Sequence, residues 1–152
     1  MKKVVFFLII FFNLGSLKSE EIANSIEADK IEYLNLDGNI KAIGSVKIIQ
    51  NEYELNADEI SFNQKNSIIE GNGNITLKKI GGEKILASRV KLSSDLKDGI
   101  IENPTLQTSD GINISSAYAL RTNGNSLILK KGIFSPCKVC SNKKNKLSWQ
   151  VK

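Results

Sequence analysis

One eight-residue phrase recurs four times, and it constrains the fold more than any other feature. Ile26–Tyr33 (IEADKIEY), Leu55–Phe62 (LNADEISF), Ile85–Leu92 (ILASRVKL) and Ile114–Arg121 (ISSAYALR) carry a small residue at the same point. These residues, Ala28, Ala57, Ala87 and Ser116, lie 29, 30 and 29 positions apart. A second apolar segment follows each phrase: Ile40–Ile48, Ile69–Leu77, Ile100–Thr108 and Ile128–Pro136. Each second segment holds a turn former, namely Gly44, Gly73, Pro104 and Gly132. Periodicity of this length marks a repeat architecture. Each unit is two short strands, so the function must be one that a stack of hairpins can perform.

The second segments alternate cleanly, as in Ile40, Ala42, Gly44, Val46, Ile48, which puts one strand face on a core and the other in polar surroundings. The first segments slip phase once, at the same place each time: 26, 28, 31, 33; then 55, 57, 60, 62; then 85, 87, 90, 92. A slip at a fixed place predicts a β-bulge or bend. Asp29, Asp58 and Ser88 occupy the slip, where a short polar side chain can bond the backbone; repeated Asp alone is too little for a metal site. Asp37-Gly38-Asn39, Lys97-Asp98-Gly99, Asp110-Gly111 and Asn123-Gly124-Asn125 supply tight-turn chemistry between the runs. No window sustains an apolar 3.6-residue period, so the expected class is all-β: a sandwich, a jelly roll or a solenoid.

Residues 1–19 read as a secretory signal, with Lys2 and Lys3 ahead of the apolar run Val4–Phe12 and small residues after it. The run falls short of the roughly 20 residues of a membrane-spanning helix. Removing it takes three lysines and no acid, so the net charge drops from +5 to +2. The high isoelectric point is then a poor argument for nucleic-acid binding. The chain has no His, which removes Ser-His-Asp and Cys-His catalysis and the commonest metal ligand. Its acids are scattered along the polar strand phase, with no pair singled out for glycosidase chemistry. No catalytic residue, metal site or cofactor is expected, and the chain does not read as an enzyme.

Cys137-Lys138-Val139-Cys140 is the one reactive constellation. In an exported chain disulfide bonding is the first expectation, either within the motif or to cysteines elsewhere. The second is preferred, because a tight ring in an extended segment would be strained. Thiol oxidoreductase chemistry would want a helix after the motif, and Ser141–Lys146 offers no apolar helix face. The apolar phase, represented by Ile31, Tyr33, Val46, Ile60, Phe62, Ile75, Val90 and Leu92, defaults to a closed core. Hairpins that fail to seal would instead leave a trough able to hold acyl chains.

The repeated A-D-x-[IV]-x-[YF] with a following G-x-[VI]-x-[IL] strand, carried by Ala28–Tyr33, Gly44–Ile48, Ala57–Phe62 and Gly73–Leu77, resembles the OstA-like domain of bacterial lipopolysaccharide-transport proteins. The tail, Gly132–Cys137, Cys140 and Trp149-Gln150-Val151, is similar to the LptD-type junction between periplasmic domain and barrel rather than to a free LptA-type bridge. The resemblance implies a signal peptide (1–19), an OstA-like periplasmic β-jelly roll (20–136), and a CxxC linker opening a barrel region (137–152). It further implies an exported protein of the Gram-negative periplasm or outer membrane, with a hydrophobic interior for lipid A acyl chains. The implied partners are an LptA-like protein added strand to strand, an outer-membrane lipoprotein and the barrel, to whose cysteines Cys137 and Cys140 would bond. A β-solenoid of structural or adhesive role is the alternative from another class.

Overall fold

The computed structural model describes residues 24–34, 38–135 and 149–150. The expected signal segment, Cys137 and Cys140 lie outside the described residues, as do the side chains of Trp149 and Gln150.

Thirteen strands and no helix make up the described residues. They are β1 (Ser25–Glu27), β2 (Lys30–Leu34), β3 (Asn39–Gln50), β4 (Tyr53–Asn63), β5 (Ile68–Lys79), β6 (Lys84–Ser93), β7 (Gly99–Glu102), β8 (Thr105–Gln107), β9 (Asn113–Ser115), β10 (Tyr118–Thr122), β11 (Ser126–Lys130), β12 (Ile133–Ser135) and β13 (Trp149–Gln150). All pairings are antiparallel. The four sequence units are visible directly. Central units form continuous strands of 10 to 12 residues, whereas the outer ones break in two at the phase slip. Thus Ile26–Tyr33 becomes β1 and β2, and Ile114–Arg121 becomes β9 and β10.

The slips are bulges. Register shifts fall between Ile43 and Val46, between Asn56 and Glu59, and between Asn72 and Ile75, side by side across the sheet. There the backbone turns left-handed, at Gly44 and Ser45, then at Gly73 and Asn74, with Asn103 and Lys131 in the outer units. A Cβ on Gly44 would run into the Asp29 carboxylate, and one on Gly73 into that of Asp58. This is why Gly recurs at these two points. In the third unit Ser88 takes the place of Asp and accepts a hydrogen bond from Asn103 Nδ2 at 2.9 Å. The repeated polar residue is therefore a brace for the bend.

Bending divides the sheet into two halves that fold onto each other as a jelly roll. One half runs β2-β3-β4-β5-β6-β7-β10-β11 and the other β1-β3-β4-β5-β6-β8-β9-β12-β13. Cross-strand partners share a face, so register alone traces the inner rows. In the first half the row is Ile31, Ala42, Ile60, Gly71, Val90, Ile101, Ala119, Leu129. In the second it is Ile26, Ile48, Leu55, Leu77, Ile85, Leu106, Ile114, Phe134. These two rows supply much of the buried core. The outer face of β2–β6 is laced with exposed ion pairs, among them Lys41–Glu59 at 3.1 Å and Lys91–Glu70 at 2.8 Å.

Candidate functional site

The interior is closed along most of its length. Val46, Ile60, Ile75, Val90 and Leu92, expected on the apolar phase, are buried in the interior. Phe62 is half-buried and packs against the core at its margin. Ile31 and Tyr33 sit on the same inner rows, opposite Ala42 and Ile40, yet are 50% and 57% exposed. The reason is position: β2 has only β3 as a neighbour, so no strand covers them from beyond.

Between the lips of the two halves a plug separates two unlike openings. Leu96, in the β6–β7 turn, is fully buried although it lies on a loop and has a positive φ of 61°. Side-chain and backbone bonds hold the turn: Arg121 Nε donates to Leu96 O at 3.0 Å, Gly124 N to Lys97 O at 2.9 Å, and Ser94 N to Ser67 O at 2.9 Å. From the opposite half, Tyr53 reaches across and its hydroxyl donates to Gly124 O at 3.3 Å. Burial raises the Tyr53 phenol, with Glu52 adding to it, and burial lowers the Arg121 guanidinium from its usual value.

On the β1 side of the plug lies an apolar mouth of about 280 Å³. Ile26 and Ile48 from one half and Ile40, Phe62 and Ile69 from the other line it, with Asn24, Ser25, Gln50 and Ser94 at the rim. Ile40 stands directly opposite Tyr33, so the mouth continues onto the exposed inner face of β2. On the other side lies a cavity of about 320 Å³ walled by Leu77, Ile85, Lys79, Glu83, Ser109, Arg121, Asn125 and two glycines. Of the apolar mouth residues, Phe62 is among those expected from sequence, whereas Ile26, Ile40, Ile48 and Ile69 are not, although all four sit on the apolar phase. Leu96 and Arg121 carry no mark of burial in the local sequence pattern. Among the described residues no cluster of three His, Cys, Asp or Glu side chains suits a metal.

A second apolar surface lies outside. Ile100, Leu120 and Ile128 occupy one cross-strand row on the outer face of β7, β10 and β11, and all are exposed. Tyr118 stands beside them. Among the described strands β11 pairs only with β10, so its far edge is open, as is that of β2.

Residues 25–126 match the family model described as LptA/(LptD N-terminal domain) LPS transport protein. The curated proteins yield no match. Among solved structures, the chain is similar to that of LptH from Pseudomonas aeruginosa, described as the LptA-homologous periplasmic component of the lipopolysaccharide transport device. The TM-score is 0.62 at 10% identity, covering 87% of this chain and 96% of that one. At that identity the likeness shows the fold, an LptA-type β-jelly roll.

Proposed function

The chain belongs to the LptA/LptD N-terminal domain family of lipopolysaccharide transport proteins, and from that premise we propose that it holds lipopolysaccharide by its acyl chains in the periplasm and hands it on. The observation that carries this is the apolar mouth between Ile26, Ile40, Ile48, Phe62 and Ile69, continuous with the bare inner face of β2 at Ile31 and Tyr33. Each methylene taken from water there gains about 0.8 kcal/mol. An acyl chain enters at this mouth, and goes deeper only as the lips part around Leu96. The domain needs no reaction for this: it offers a greasy path, and the direction of transfer is supplied by partners.

The open edges of β2 and β11 suit strand addition, which turns an aggregation liability into a bridge between like domains. An LptA-like partner on one edge fits this role. The Cys137–Cys140 motif and Trp149-Gln150 in the sequence favour an LptD-like protein of the outer membrane, with lipoprotein and barrel as further partners, over a free LptA-like bridge. Photo-crosslinking tests the lipid reading. A photoreactive residue at Ile31 or Phe62 should capture lipopolysaccharide, and one at Lys30 or Glu59 should not. Capture from the polar positions alone would overturn it.

A further inference from the structure

Arg121 is only 5% exposed and lies on the inner face, opposite Gly99 and Leu127. Among the described residues no carboxylate comes within 4 Å of it. A buried cation with no direct ion pair is costly; Glu83 and Asp98 act on it only from farther off, and one bond to a carbonyl with one aromatic face offsets the rest in part. Those two contacts are Leu96 O, 3.0 Å from Nε, and the Tyr53 ring, 5.0 Å from the guanidinium carbon. A guanidinium has five donor hydrogens. The Nε hydrogen serves Leu96, and the group also walls the 320 Å³ cavity, where the remaining donors can meet an occupant.

A second cation converges on the same space. Lys79 Nζ lies 5.9 Å from the Tyr53 ring centroid and lines the cavity with Ser109 and Asn125. Its present partners are Glu52 at 3.3 Å and Asn125 Oδ1 at 3.3 Å, both in solvent-exposed settings. Exposed pairs of this kind are worth little and are readily exchanged. Glu83 also stands at the wall, but on an exposed turn. A plain strut for Leu96 would require neither a permanent charge nor a second cation nor open volume beside it.

We propose that this cavity is a binding site for a phosphate group, held by the Arg121 guanidinium and the Lys79 ammonium. Charge-assisted bonds from Arg to phosphate oxygens are among the stronger polar contacts available to a protein. The cavity is roomier than a lone phosphate needs, so a phosphate on a larger head group fits its chemistry. The site is separate from the apolar mouth, on the other side of the plug, and does not rest on acyl-chain binding.

The test follows the Arg121 Nε–H resonance by NMR in the purified full chain, titrated with inorganic phosphate and, separately, with dihexanoyl phosphatidic acid below its micelle concentration. A saturable shift is expected, weakened at least fivefold in Lys79→Gln, whose partly exposed side chain makes only exposed polar contacts. Arg121→Gln should abolish binding, read from backbone amides around Gly124; if that variant fails to fold, Lys79→Gln decides. Tighter binding of the lipid assigns the site to a phosphorylated lipid head group, and equal binding assigns it to phosphate itself. No saturable shift with either probe, or a shift unchanged by Lys79→Gln, overturns the site. Loss of lipid crosslinking at Phe62 with phosphate binding retained would sink the acyl-chain reading and leave this one standing.

Discussion

Asn74 Nδ2 donates to Asp58 Oδ2 across 2.8 Å, clasping the bulge of β5 to the strand beside it. Asp58 occupies the space a side chain on Gly73 would need, and Gly73 has a φ of 72°. Glycine and aspartate are thus one device split over two strands.

Gly73→Ala should therefore cost about 1–3 kcal/mol, combining left-handed strain with the clash on Asp58. Asp58→Ala removes the obstacle but also the Asn74 bond. The double variant should be less unstable than the two losses added, because the clash is then gone. Urea unfolding of the four proteins measures this; strict additivity would show that Asp58 and Gly73 do not act as a pair.

Core and lip residues should separate sharply on truncation. Ile60 is 0% exposed in the middle of the inner row, and Ile60→Ala should cost about 2–5 kcal/mol. Ile31, half-exposed on the same row, should cost no more than about 0.5 kcal/mol when cut to Ala. Its loss should instead appear as weaker lipid capture, the opposite pattern to Ile60.

Removing the Tyr53 hydroxyl leaves the buried carbonyl of Gly124 without that donor. Tyr53→Phe should cost about 1 kcal/mol, in line with a net buried hydrogen bond. Since the bond joins the two halves, amide exchange should quicken most at Asn123–Asn125 and in the Leu96 turn. Uniform quickening across the domain would contradict a local latch.

Acid should weaken the fold through three carboxylates. The hydrogen bond from Lys91 holds Glu70 below its ordinary value, Asn56 does the same for Glu54, and Ser93, followed by the Lys97 amide, for Asp95. A carboxylate depressed in the folded state adds stability that is complete above its unfolded pKa, about 4, and is lost as pH falls through the lower folded value. The urea midpoint should thus be flat near neutrality and fall below about pH 4. Glu70→Gln should make that fall shallower. The effect will be modest, because Glu70 and Lys91 both face solvent.

The bends were legible in the sequence because bending leaves marks that alternation cannot hide: a phase slip at Ala28, Ala57 and Ala87, with Gly44 and Gly73 opposite. Burial of Ile60, Val90 and Leu92 followed from period-two patterning. Leu96 was not legible. It sits in a polar Ser-Ser-Asp-Leu-Lys-Asp turn, and only tertiary closure puts its side chain inside. Arg121 escaped for the reverse reason, since a charged residue on an apolar phase reads as a strand end until the fold covers it. Ile100, Leu120 and Ile128 are apolar on the outward phase, where periodicity has no rule to offer. The exposure of Ile31 and Tyr33 depends on which strand ends up at the margin, a fact of topology rather than of local pattern.

Asp29, Asp58 and Ser88 recur at nearly constant interval, each lying against the bend of its own unit. An in-frame duplication of one 29- or 30-residue block would therefore import a ready-made corner together with its two strands. Such an insertion would lengthen the molecule by about 10 Å, two strand spacings, while preserving the angle between its walls. Reach, in this architecture, is something recombination can adjust in whole steps.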